Sequence, residues 1–150
     1  MTLNRPAARA LSCAAALLAL AGCGSTGGTS TTASPTTLVV SKPTPVTADE
    51  HADRTTLKAA VGATVSVELH STYWSAATSS APDVVTATGA PTTTPAPSCR
   101  PGGGCGTVTT TFTAHKAGTV HLTASRSVCG EALSCAPDQR VYDVTIEVTG

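Results

Sequence analysis

The sequence predicts an all-β domain, an immunoglobulin-like antiparallel β-sandwich, behind a signal peptide and a disordered tether. Three observations predict it. Thr64–His70, Thr107–Ala114 and Tyr142–Val148 alternate apolar and polar side chains with the period of two that a half-buried strand requires. No stretch after residue 23 carries the 3.6-residue period of an amphipathic helix. Threonine is used heavily, and with valine it suits strands far better than helices. Five to seven such strands, each with one buried face, pack as two sheets; an up-and-down barrel is the alternative.

Residues 1–22 have the make-up of an export signal. Arg5 and Arg9 form a positive leading region, and Ala10–Ala21 is an apolar run too short to span a bilayer. The run closes on Leu20-Ala21-Gly22-Cys23, an arrangement that resembles the lipobox of bacterial lipoproteins. The resemblance implies cleavage before Cys23, a diacylglycerol on its sulfur and an N-acyl chain such as palmitate. Two or three acyl chains, at about 0.8 kcal/mol per buried methylene, anchor stably where one binds only reversibly. The expected location is the extracytoplasmic face of a bacterial cell membrane. The alternative is an ordinary secretory signal in which Cys23 is incidental. Cys13 lies inside the apolar run and would be removed.

Residues 23–53 read as a lipidated tether. Gly24–Thr37 is Gly, Ser, Thr and Pro with one Ala, and Ser41–Thr47 adds Pro43 and Pro45. Such composition supports no core and behaves as a flexible spacer, holding a domain roughly 25–30 Å from its anchor. Leu38-Val39-Val40 interrupts it as a candidate edge strand.

Residues 54–150 read as the domain. In the first clear strand Val65, Val67 and Leu69 share a face, with Ser66, Glu68 and His70 opposite. Val84-Val85 is a brief apolar pair. Thr107–Ala114 places Val108, Thr110, Phe112 and Ala114 together, and the turn Lys116-Ala117-Gly118 leads into a strand with Val120, Leu122 and Ala124 inward. The last strand sets Tyr142, Val144, Ile146 and Val148 against Asp143, Thr145 and Glu147.

With one Trp, one Phe and two Tyr, this domain has a thin core. Cysteine supplies part of the deficit. Cys99, Cys105, Cys129 and Cys135 remain beyond Cys23, an even number in an exported chain, and so read as two disulfides. Four cysteines allow three connectivities. The local pairs Cys99–Cys105 and Cys129–Cys135, each enclosing five residues, are the favoured choice, and crossed pairs stay open.

Several chemistries are absent from the pattern. Nine basic residues balance nine acidic; losing Arg5 and Arg9 leaves a net charge of about −2, with no electrostatic footprint for nucleic acid. A five-residue gap is wider than the usual spacing of zinc ligands, and His51, His70, His115 and His121 do not cluster in sequence, so no metal or other cofactor is expected. There is no Gly-x-Ser-x-Gly elbow, and oxidised cysteines lack a nucleophilic thiolate. Gly102-Gly103-Gly104 follows a proline inside a Cys-bounded loop and precedes a strand, which is not a phosphate cradle. The chain reads as a non-enzyme.

Recognition is what remains. Tyr73-Trp74 holds the only tryptophan, placed either in the sandwich core or at a loop end as a binding anchor. The two Cys-bounded loops are the other candidates, because a stapled loop binds with little ordering cost.

Residues 61–148 resemble the chagasin-type inhibitors of papain-like cysteine proteases, which are immunoglobulin-like. The resemblance rests on Val61-Gly62-Ala63-Thr64-Val65-Ser66-Val67-Glu68-Leu69, on Phe112-Thr113-Ala114-His115-Lys116-Ala117-Gly118-Thr119 and on Tyr142-Asp143-Val144-Thr145-Ile146-Glu147-Val148. It implies three loops at one end of the sandwich that enter a protease cleft. Ser71-Thr72-Tyr73-Trp74 stands where that family carries Asn-Pro-Thr-Thr-Gly-Tyr and a following Trp. Gly102, Gly103 and Gly104 stand at its glycine-rich loop. Arg126 matches the start of its Arg-Pro-Trp loop, with Ser127 and Val128 in place of Pro and Trp.

The functional reading is a membrane-anchored envelope lipoprotein presenting a disulfide-stapled sandwich that binds a protein partner, a protease or an envelope component. The alternatives are a chagasin-like inhibitor of papain-type proteases and a passive envelope protein.

Overall fold

Eleven short strands form among residues 42–150, which the computed structural model describes. Cys23, the signal segment and Leu38-Val39-Val40 lie outside the described residues. In chain order the strands are β1 (Val46–Ala48), β2 (Thr56–Ala60), β3 (Thr64–Leu69), β4 (Thr78–Ser79), β5 (Val85–Ala87) and β6 (Thr92–Pro95), then β7 (Gly106–Ala114), β8 (Gly118–Ser125), β9 (Val128–Gly130), β10 (Leu133–Ser134) and β11 (Val141–Thr149). One sheet runs β1-β3-β7-β5, with β6 also on β7; the other runs β2-β11-β8-β4. β9 and β10 form a separate hairpin. Two stacked sheets around one core are the expected sandwich.

The period of two places the core. Val65, Val67 and Leu69 of β3, Val108, Phe112 and Ala114 of β7, Val120, Leu122 and Ala124 of β8, and Tyr142, Val144, Ile146 and Val148 of β11 are all buried. Thr110 is buried in the same row, and its hydroxyl accepts the Ala77 N–H at 3.0 Å, so its polarity is satisfied. A core built from valine and alanine is thin per residue, as the scarcity of aromatics requires.

Two features differ from expectation. The sandwich is not wholly antiparallel: β1 pairs with β3 in parallel, and β2 pairs with β11 in parallel. The cause is a crossing. The chain runs along β3 on β1, passes to the other sheet through a single 3-10 turn at Glu50–Ala52, and returns along β11 on β2. Regular structure is also present before the composition change at Arg54, since Val46–Ala48 is strand and Glu50–Ala52 a 3-10 turn within the stretch read as tether. The crossing is pinned at both sides: Asp53 accepts the Asp143 N–H at 2.8 Å, and Glu50 takes both the backbone N–H and the ring of His70.

The registers fix which end of the sandwich holds which loops. Leu69 is opposite Val108, Pro95 is opposite Gly106, and Val141 is opposite Ser125. The segments 70–77, 96–105, 126–140 and the crossing 49–55 therefore all lie at one end. The turns 61–63 and 115–117 lie at the other.

Candidate functional site

The loop end brings together the three segments that carry the candidate binding residues. The first leaves β3 at His70. Its Ser71 hydroxyl and Thr72 N–H both donate to the Gly104 carbonyl, at 3.0 and 2.8 Å. The Tyr73 hydroxyl donates to the Gly102 carbonyl. Gly104 has φ +67°, and a Cβ there would overlap the Tyr73 ring. The glycine thus lets the second loop lie flat on Tyr73. One residue type answers two demands, a left-handed backbone and a close approach.

Both stapled loops are closed by local disulfides. Cys99 bonds Cys105 and Cys129 bonds Cys135, with Cα separations of 5.6 and 5.0 Å. The crossed connectivities are therefore not adopted. The first staple holds Gly102–Gly104 against Tyr73. The second closes the β9–β10 hairpin, with Cys135 buried.

Trp74 belongs to the core. It is 7% exposed, meets Tyr142 edge-on with ring centroids 6.5 Å apart, and is capped by Arg126, whose guanidinium carbon lies 4.2 Å from the ring centroid. It seals the core at the loop end and leaves only a small part of its surface open there, too little for an exposed anchor. Arg126 is held in place by its Nε, which donates to the Gln139 carbonyl at 3.0 Å.

Other contributors carry no motif. Leu133 is 62% exposed next to the hairpin turn, after Ala132 at φ +53°, and Val141 is 51% exposed at the start of β11. Among the described residues they are the large apolar side chains most open to solvent; Val61, less exposed, lies at the opposite end. An exposed leucine reads as unremarkable in a sequence, and only the hairpin puts it at a tip. Beneath the loops a cavity of about 120 Å³ is lined by Trp74, Tyr142, Arg126, Glu50, Asp53 and Asp138. The Trp74 Nε1 and the Tyr142 hydroxyl are buried without a hydrogen-bond partner among the described residues. Burial, with the nearby carboxylates led by Asp53 adding to it, pushes the Tyr142 phenol far up, so it stays neutral.

The Glu50–His70 pair is the charged clamp of this end, with 2.8 Å between His70 Nδ1 and the carboxylate. Its hydrogen bond and charge raise His70. Burial alone would raise Glu50, but the bonds from the His70 ring and backbone outweigh it and hold the carboxyl below its usual value. Among the described residues no three His, Cys, Asp or Glu side chains group closely enough to hold a metal ion.

No family model and no curated protein matches this chain. Solved structures do. The cysteine protease inhibitor EhICP2 from Entamoeba histolytica superposes with TM-score 0.50 at 12% identity, over 71% of this chain and 96% of that chain. The scaffold is similar to that of a cysteine protease inhibitor. Amebosin aligns with TM-score 0.47 at 17% identity, over 71% of this chain and 97% of that chain. The likeness is one of fold, and it agrees with the chagasin-type scaffold read from the strand motifs.

Proposed function

We propose that the domain is a protease-binding module, an inhibitor of papain-type cysteine proteases carried on a lipid-anchored tether. One observation carries the reading. Three loops from separate parts of the chain converge at one end, each fixed by a disulfide or by hydrogen bonds to main-chain carbonyls of a neighbour. A wedge for a cleft needs such preordering, since a rigid loop loses little entropy on insertion. The shared fold with an inhibitor supports it.

The contact set is this chain's own. Trp74 is buried, and Ser127 and Val128 replace the Pro and Trp of the third loop. Leu133 is the apolar group best placed to enter a partner pocket, being exposed on a hairpin closed at its base. The test is inhibition of papain by the full chain in detergent. Dose-dependent inhibition that Leu133→Asp weakens at least about tenfold is expected. No inhibition at micromolar concentration would remove this reading and leave the more general one, a binding module for another envelope partner.

A further inference from the structure

Beside the cavity just described, a second and larger hollow opens between the first and third loops. It is an open surface groove of about 470 Å³, lined by Tyr73, Trp74, Arg126, Arg140, Val141 and three serines, Ser75, Ser125 and Ser127. No acidic side chain lines it. Three carboxylates of this end, Glu50, Asp53 and Asp138, line the neighbouring cavity instead. Trp74, Arg126 and Val141 line both hollows, so Arg126 borders the carboxylate-lined cavity as well as the groove, whereas Arg140 lines the groove alone.

The two arginines are held for use. Arg126 Nε donates to the Gln139 carbonyl at 3.0 Å, and Arg140 Nε donates to the Cys135 carbonyl at 3.0 Å. Arg126 N–H also donates to the Arg140 carbonyl at 2.9 Å, which ties the two residues together. Engaging Nε orients each planar guanidinium while leaving its terminal amines to other acceptors. Among the described residues neither guanidinium pairs with a carboxylate, although Arg54 meets Asp53, Lys116 meets Asp83 and three histidines lie against carboxylates. One supporting carbonyl, that of Cys135, is part of the Cys129–Cys135 staple, and the other, that of Gln139, closes the 3-10 turn Pro137–Gln139 that follows it, so little order is left to be lost on binding.

We propose that this groove docks an acidic side chain of a partner polypeptide. Its carboxylate would be taken by the terminal amines of Arg126 and Arg140, with the serine hydroxyls beside it. Paired guanidinium-to-carboxylate bonds are the strong, directional kind of charged contact. The open groove is larger than a lone carboxylate fills, and its Tyr73, Trp74 and Val141 walls suit the flanking chain. The inference shares with the proposed function only the premise that this end meets another polypeptide.

The probe is a blocked hexapeptide of alternating glycine and glutamate, titrated into the full chain in detergent at constant ionic strength. Trp74, the single tryptophan, reports through its fluorescence. A saturable change is expected with the glutamate peptide and none with its glutamine counterpart. Arg140→Gln should bind at least about tenfold more weakly, and Lys58→Gln, exposed on β2 and outside the groove, should bind as the parent does. Arg140 is chosen because Arg126 also caps Trp74. Equal binding of the glutamine peptide, unchanged affinity in Arg140→Gln, or no saturable signal would overturn the proposal. Sulfate competing as tightly as the peptide would also overturn it, reducing the groove to an inorganic anion site. If Arg140→Gln fails to fold, the parent chain still decides: affinity for the glutamate peptide that does not fall as chloride rises counts against the groove. Papain inhibition without peptide binding would sink this proposal alone, and the converse would sink the protease reading alone.

Discussion

Gly104 shows how one position joins two loops. A side chain there would meet the Tyr73 ring and a left-handed backbone at once. Gly104→Ala should cost about 2–3 kcal/mol and loosen Tyr73 from the Cys99–Cys105 loop, read as a lower Tm and a changed tyrosine near-UV signal. An unchanged Tm would mean the contact matters little. His70 makes a second residue-scale case. Its proton is held more tightly folded than unfolded, so the stabilisation is fully present below its ordinary value of 6.5 and fades as pH rises through the higher folded value. The Glu50 share has the opposite sense, present above its ordinary 4.5 and lost as pH falls through the lower folded value. His70→Gln should therefore lower Tm most near about pH 6 and less at about pH 8. Both side chains are partly solvated, so salt should shrink the gap. A gap that is constant across pH would refute the clamp.

Among the elements, the long strands were the legible part. β3, β7, β8 and β11 alternate so regularly that their buried faces can be named from the order of residues alone. The short ones were not. β1 sits among prolines and threonines that look like spacer, and its pairing depends on β3, some twenty residues away. Parallel pairing leaves no mark in the alternation of either partner, because both parallel and antiparallel strands have a period of two. The disulfides were legible by spacing, and they test as elements. Cys99→Ser with Cys105→Ser should cost about 2 kcal/mol on a chain-entropy estimate. Cys129→Ser with Cys135→Ser should cost more, since buried Cys135 would become a polar group. Urea midpoints of the two double variants measure both, and two midpoints equal to the parent's would contradict the staple role.

For the whole molecule, the sequence told which loops to watch but not how they are divided. Tyr73 and the glycines proved to hold one another, and Trp74 went to the core. Leu133, Arg140 and Glu50 acquire meaning only from the hairpin turn, the groove and the crossing. No local pattern marks such residues, because their role depends on neighbours brought from elsewhere in the chain. The proposed anchor at Cys23 has its own test. Cys23→Ala should move the protein from the membrane fraction to the medium or leave it unprocessed. Membrane association with unchanged mass in that variant would remove the anchor.

The parallel pairing of β1 with β3 sets a mechanical polarity. Pro43 lies against Gly62, at the end opposite the loops, so the chain enters the domain at the far pole and runs toward the loop end along β1. A partner gripping the loops and a pull at residue 42 would load the β1–β3 hydrogen bonds along the strand axis. Bonds loaded in that direction share the force and fail together, whereas a peeled edge opens one bond at a time. The first strand is thus a shear joint, aligned with the tension a tethered binder would bear.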